Sequence, residues 1–266
     1  MSVRAEKNGP VTTIVMERPN ARNAVDPETA DALVAEFEAF NRDPQAKVAV
    51  FFGSHGTFCA GWDLKYGASL ADKDARSELN LDFPHGAGAV PRGPMGPSRL
   101  ELEKPVIGAV AGAAVAGGME LALWCDLRVM EDDAYFGVYC RRWGVPLIDG
   151  GTVRLPRIVG MGRAMDIILT GRKVEADEAY RIGLCERIVP RGQARQAAEA
   201  LALEIARFPQ AAVRADRQSA YRQHGMSMHA AMEQEWAGGA DTLAEAIKGA
   251  GRFASGKGRH GAFDEI

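Results

Sequence analysis

The sequence predicts an α/β fold that becomes mainly helical in its last third. Two observations carry this reading. Short runs rich in β-branched or aromatic residues, bounded by Gly or Pro, recur up to about residue 130, and after about Gly151 such runs fade while helical patterns take over. In chain order the first strand is PVTTIVMER. An amphipathic helix follows in DPETADALVAEFEAFNRDP, where Asp26 suits the cap, Pro27 the first turn, and Leu33, Val34, Phe37 and Phe40 line one face. VAVFFG, KPVIGAVAG and LRVM are the next strands. Residues 82–98, DFPHGAGAVPRGPMGPS, are too rich in Pro and Gly for regular structure and read as a long mobile loop, either a substrate contact or a solvated connector. VEADEAYRIG is a helix stopped by Gly183, and further helices are expected over 191–207, 211–223 and 227–249. The division drawn is a core over 1–195 and a helical region over 196–266.

Composition excludes several function classes. A chain of 266 residues with 47% hydrophobic and 25% charged residues is long enough to bury a sizeable core. A formal net charge of −3 offers no global basic field, so no nucleic-acid partner is expected. Cys59, Cys125, Cys140 and Cys185 are scattered without a CxxC pair, and His55, His85, His224, His229 and His260 lack metal spacing, so neither a disulfide framework nor a metal is expected. With no long apolar run at the N-terminus or beyond, the expectation is a cytoplasmic protein without a membrane span.

The stretch AGAAVAGGMELALWCD, residues 111–126, holds one carboxylate, Glu120, among small and apolar residues. A carboxylate in such surroundings is paired, protonated or retained for chemistry. Gly117 and Gly118 precede a helix expected to begin near Met119, and a helix N-terminus offers unpaired N–H groups to an oxyanion. Tight packing by the glycines, with Glu120 complementing the helix dipole, would give the same local pattern. A second small-residue turn, Ala60-Gly61-Trp62 in GTFCAGWDLKYGA, follows the VAVFFG strand, and strand ends are where open α/β architectures place ligands. Together the two turns could form a two-donor hole.

The segments RPNARNAV, FCAGWDL, KPVIGAVAGAAVAGGMELALWCD, FG at 136–137, GGTVRLPRIVG and TGRKVEADEAYRIGLCERIVP, in this order, resemble the enoyl-CoA hydratase/isomerase (crotonase) superfamily over about residues 10–250. The resemblance implies a crotonase-like spiral of ββα units, a C-terminal helical trimerisation region giving a homotrimer or a dimer of trimers, and an acyl-CoA thioester as substrate, with no cofactor beyond the CoA it carries. It further implies that the Trp62 and Gly117 N–H groups donate to the thioester oxygen, each contributing ~3 kcal/mol as enolate charge develops. Arg22, Ala24, Ala60, Asp63 and Leu64 match segments that wrap the pantetheine and nucleotide. Glu120 matches the first of two catalytic glutamates of the hydratases. Cys140 stands where the second would be, and a thiol does not reproduce a carboxylate. It reads as a core residue, a reactive thiol or a spacer that enlarges the pocket, and Arg141 and Arg142 beside it either lend positive charge or face solvent. Asp149, in IDGGT, is the candidate partner, because other branches place a working carboxylate near this turn. As a residue it is equally a good helix cap. His85 is an outside site candidate. The function implied is enoyl-CoA hydration with Glu120 as acid/base, or another reaction of the superfamily (isomerisation, hydrolysis, decarboxylation or dehalogenation), or acyl-CoA binding without catalysis.

Overall fold

Pairs of strands feeding helices give the chain its order, and the computed structural model describes residues 2–86 and 88–258. β1 (Val3–Asn8) and β2 (Val11–Met16) lead to α1 (Pro27–Arg42). β3 (Val48–Gly53) and β4 (Thr57–Cys59) lead to α2 (Leu64–Ala68) and α3 (Ala75–Leu79), and β5 (Val106–Val110) and β6 (Ala113–Val115) lead to α4 (Gly117–Trp124). β7 (Leu127–Glu131) and β8 (Tyr135–Gly137) run into a 3-10 turn at Tyr139–Trp143, then α5 (Gly151–Val159) and α6 (Met161–Thr170). β9 (Lys173–Glu175), α7 (Ala176–Arg181), β10 (Arg187–Val189), α8 (Ala194–Ala206), α9 (Gln210–Arg222), α10 (Met228–Ala240) and α11 (Leu243–Ala254) complete it.

Two sheets result. One is six-stranded in the order β1-β2-β3-β5-β7-β10, parallel except for the β1/β2 hairpin. The other has the order β4-β6-β8-β9, parallel through β8 and antiparallel at β9. The first strands of three successive pairs, β3, β5 and β7, thus enter the large sheet and the second strands, β4, β6 and β8, the small one. This is a spiral of ββα units. Both faces of the large sheet are covered, which is why its strands read as continuous apolar runs. On one face α8 packs Ala198, Leu201 and Ala202 against Val48, Ile107 and Val129. On the other, α1 buries Leu33, Phe37 and Phe40. Phe37 meets Phe51 and Trp124 edge to face, with ring centroids 5.1 and 4.8 Å apart.

The cap of α1 follows the sequence expectation. The Asp26 carboxylate accepts from the Thr29 N–H at 2.9 Å, with Pro27 in the first turn. Val34, expected on the apolar face of α1, is half-buried.

Three expectations are corrected. The loop at 82–98 is not mobile throughout: Gly93 to Ser98 are buried, and Gly93 and Gly96 exchange two backbone hydrogen bonds at 3.0 and 2.9 Å, closing a tight turn. Close packing of the glycines, rather than freedom, explains this turn, because a Cβ on Gly96 would lie 2.7 Å from the Ala30 carbonyl oxygen. The helix expected near Met119 begins at Gly117, and the one expected over 227–249 is two helices separated at Asp241 and Thr242. Short strands of three residues, β4, β6, β8, β9 and β10, are too brief to carry a periodic signal. β1 is masked by its charged, half-exposed residues, VRAEKN.

Candidate active site

Parallel pairing of β4, β6 and β8 sets three turns side by side at the carboxyl ends of these strands: Ala60–Trp62, Ala116–Gly117 and Val138–Cys140. A cavity of about 320 Å³ opens there. Its walls are mainly apolar, with Leu79, Val145, Pro146 and Ile148 beside three aromatic side chains, Trp62, Tyr139 and Trp143. Two of its lining residues carry carboxyl groups, Glu120 and Asp149.

The donor side is built from backbone. Val25 accepts from the Asp63 N–H and donates to the Gly61 carbonyl, both at 2.9 Å, which pins the turn and leaves the intervening Trp62 N–H without an acceptor among the described residues. The Gly117 N–H, at the first position of α4, is likewise without one. The turns touch: a Cβ on Gly61, whose φ is +100°, would lie 2.9 Å from the Ala116 Cβ and 3.1 Å from the Gly117 nitrogen. A Cβ on Gly118 would lie 2.1 Å from the Cys59 carbonyl oxygen. Glycine at 61 and 118 is therefore required for the close approach of the two donor turns. Ala116 adopts φ 53° and ψ −126°, a conformation costly for a residue with a Cβ, immediately before the Gly117 donor. Local strain of this kind is maintained only where packing on both sides dictates it.

The carboxyl groups are held by hydrogen bonds. Glu120 is 3% exposed, and its Oε1 accepts from the Asp149 N–H at 2.9 Å and the Gly151 N–H at 2.8 Å. Glu120 thus occupies the N-terminus of α5, where free N–H groups favour a carboxylate. Burial, reinforced by the nearby charge of Asp149, nevertheless pushes its pKa up to about 7. Gly151 is close-packed here too, since a Cβ would fall 2.9 Å from Glu120 Oε1. Asp149 is also buried; its Oδ1 accepts from the Met95 N–H at 3.0 Å and from the Ser98 hydroxyl. Burial raises its pKa as well, while the Ser98 and Met95 hydrogen bonds oppose the rise. The helix-cap reading of Asp149 is corrected: Gly150 caps α5, and the Asp149 side chain turns away to Met95 and Ser98.

Of the residues singled out in the sequence, Ala60, Trp62, Leu64, Gly117, Glu120, Cys140 and Asp149 line the cavity. Cys140 is buried, and burial followed by the Glu120 charge pushes its thiol above the ordinary range, so it is a small protonated wall residue and not a reactive thiolate. Arg22, Ala24 and Asp63 do not line the cavity. Arg22 is exposed and meets the site only through its carbonyl, which accepts from Ala60 at 3.0 Å. Ala24 is buried, its carbonyl taken by Arg18. Asp63 caps α2 and pairs with Arg18 at 3.2 Å. Arg141, Arg142 and His85 are exposed; the Arg142 guanidinium lies 3.8 Å from the Tyr139 ring centroid. His260 lies outside the described residues. Among the described residues no cluster of His, Cys, Asp or Glu could hold a metal ion.

Sequence reasoning missed Met95, Ser98 and Arg154. Arg154 donates to the Asp149 carbonyl at 3.0 Å and the Ser98 carbonyl at 2.8 Å, joining α5 to the 93–98 turn. The signal was the G-P-M-G-P pattern at 93–97, which marks a tight turn as well as a flexible one.

Comparison with known proteins agrees with this architecture. The enoyl-CoA hydratase/isomerase family model matches residues 6–255. A carnitinyl-CoA dehydratase of Salmonella arizonae is 37% identical over 80% of this chain and 78% of its own length. An enoyl-CoA hydratase of Mycobacterium tuberculosis is 35% identical over 71% of this chain and 68% of its own. Among solved structures, an enoyl-CoA hydratase from Mycobacterium marinum superposes with a TM-score of 0.84 at 30% identity, covering 96% of each chain.

Proposed function

The chain belongs to the enoyl-CoA hydratase/isomerase family and is an acyl-CoA-processing, hydratase-like enzyme, and from that premise we propose that it adds water across an enoyl thioester using Glu120 and Asp149 as its carboxyl pair. One observation carries the proposal: Glu120 and Asp149 line the same cavity as Trp62 and Gly117, whose backbone N–H groups have no acceptor among the described residues. The thioester oxygen would accept from the Trp62 and Gly117 N–H groups, and donors fixed in advance stabilise the enolate charge that develops there. Water held between the carboxyls adds its oxygen to C3 and yields a proton to a carboxylate, while C2 takes a proton from a carboxylic acid. A pKa of about 7 suits Glu120 to be the principal acid/base, because each protonation state is populated near neutral pH. Asp149 stands in for the carboxylate that Cys140 lacks. CoA enters as part of the substrate, so the chemistry calls for no further cofactor.

The mainly apolar walls of the cavity favour a neutral acyl group. At one wall the Tyr139 ring already carries the Arg142 guanidinium at 3.8 Å, which disfavours a cationic acyl group on that ring. Trp62 closes the cavity on another side: its ring lies where a Cβ on Gly67 would come within 2.6 Å, and Tyr66 stands edge-on to it at 5.9 Å.

The specific observation favouring a second reading, double-bond isomerisation, is Cys140: with one group fewer to grip water, the same carboxyls could instead shuttle a proton between carbons. The two readings separate in one experiment, the loss of enoyl-thioester absorbance with crotonyl-CoA, with product mass recorded for wild type, Glu120→Gln and Asp149→Asn. A water adduct from wild type that is lost in Glu120→Gln supports hydration. CoA-ester binding without turnover of any enoyl thioester would reduce the protein to a binding role.

The same proposal includes a cytoplasmic enzyme that assembles as a homotrimer or dimer of trimers, with a core over 1–195 and a helical region from 196. Four buried free cysteines support the location, and among the described residues no helix is long and apolar enough to cross a membrane. The exposed apolar residues of the last three helices support the assembly.

A further inference from the structure

We propose that Ser98 is a positioning residue for the reaction, acting through Asp149, and this inference rests on the hydratase reading above. The buried Ser98 hydroxyl donates to Asp149 Oδ1, which also accepts from the Met95 N–H at 3.0 Å. With Oδ1 held twice, the carboxyl cannot rotate freely, and Oδ2, which has no donor among the described residues, is the oxygen left for water or substrate. The surroundings are shaped to this contact. A Cβ on Gly93 would fall 1.9 Å from the Ser98 hydroxyl oxygen and 2.5 Å from Asp149 Oδ1, so only glycine fits beside the pair. Arg154 fixes the two backbones relative to each other by donating to the carbonyls of both Ser98 and Asp149. The same turn reaches the other half of the site, because the Met95 thioether lies where a Cβ on Gly117 would come within 2.5 Å of its sulfur. Residues 93–98 therefore lock the carboxyl at 149 while abutting the oxyanion donor at 117.

A serine here has a chemical consequence besides orientation. A hydrogen bond donated to a carboxylate favours its charged form and opposes the rise that burial imposes on Asp149. Removing the hydroxyl moves the Asp149 titration upward, and removing Asp149 makes the hydroxyl irrelevant to rate.

The experiment is a double-mutant cycle on the full-length enzyme with crotonyl-CoA: Ser98→Ala, Asp149→Asn and the double variant, each with kcat, KM, the pH–rate profile and Tm. Ser98→Ala is expected to lower kcat by about tenfold with KM changed by less than about twofold, and to shift the Asp149-dependent limb of the profile to higher pH. In the Asp149→Asn background Ser98→Ala is expected to change kcat by less than about twofold. Ser98→Cys fills the space with only a weak donor and follows Ser98→Ala, which separates loss of the hydrogen bond from a cavity. Equal losses from Ser98→Ala in both backgrounds would overturn the inference, as would unchanged kcat and pH profile. Wild-type kcat in Asp149→Asn would instead overturn the carboxyl-pair reading beneath it.

Discussion

The core and the C-terminal helices treat their side chains in opposite ways. Around the cavity burial is so complete that two carboxyl groups are enclosed, whereas α9, α10 and α11 contain no buried residue. In those helices Met228, Met232, Trp236, Ile247 and Phe253 stand 61–77% exposed. The helices are attached by polar contacts: Arg217 and Tyr221 of α9 both donate to Asp126 Oδ1 at 2.8 Å, and α10 packs on α9. The contrast separates the chemistry from the proposed assembly. The described cavity is lined entirely by residues up to Asp149, while the tail presents exposed apolar surface that the proposed assembly would cover.

The sharpest way to break that division is at its centre. Glu120→Gln is expected to lower kcat by about 10³-fold while CoA-ester binding measured by calorimetry persists; wild-type turnover would remove Glu120 from the mechanism. Asp149→Asn is expected to lose about 10²-fold, with the profile losing one limb. Gly61→Ala forces a side chain into a φ of +100° against Ala116, so about tenfold lower kcat and about 1–3 kcal/mol lower stability are expected from kinetics and thermal melting. At the far end, Trp236→Asp on α10 is expected to leave kcat within about threefold of wild type while sedimentation shows smaller species. If turnover collapses with assembly, the tail takes part in the site and the division fails.

Stability against pH sharpens the comparison further. Burial raises the Glu120 pKa from 4.5 to about 7, so between these values the native state keeps a proton that the unfolded chain has released. Its contribution to stability is present below about 4.5 and is lost as pH rises through 7. Glu120→Gln, whose amide oxygen can still accept from the Asp149 and Gly151 N–H groups, is therefore expected to gain stability relative to wild type as pH increases, by on the order of 3 kcal/mol between pH 5 and 8. Parallel melting curves of the two proteins across that range would show that burial does not destabilise the Glu120 carboxylate.

Much of the site is legible in the amino-acid sequence. Glu120 stands out because a carboxylate among small apolar residues needs a reason, and Trp62 and Gly117 because small-residue turns at strand ends expose backbone donors. Asp149 is legible as a candidate but not in its role, since a helix cap and a site carboxyl share one sequence pattern; the choice rests on Met95 and Ser98, some fifty residues earlier in the chain. Residues 93–98 mislead for a related reason. Pro and Gly mark a departure from regular structure, and whether the resulting turn is loose or locked depends on what packs against it.

What the sequence determined by itself is local: the strand β2, the cap and apolar face of α1, the switch from strands to helices, and the small residues that let two turns approach. These follow from side-chain periodicity and backbone conformational limits, which act over a few residues. The tertiary structure alone decided that β4, β6 and β8 run parallel and adjacent, bringing three distant turns to one edge, that Arg22 faces solvent while Ser98 holds Asp149, and that Glu120 is buried enough to titrate near neutrality. Those outcomes depend on strand register and on the exclusion of water by residues far apart in the chain, and neither quantity is written in any single segment.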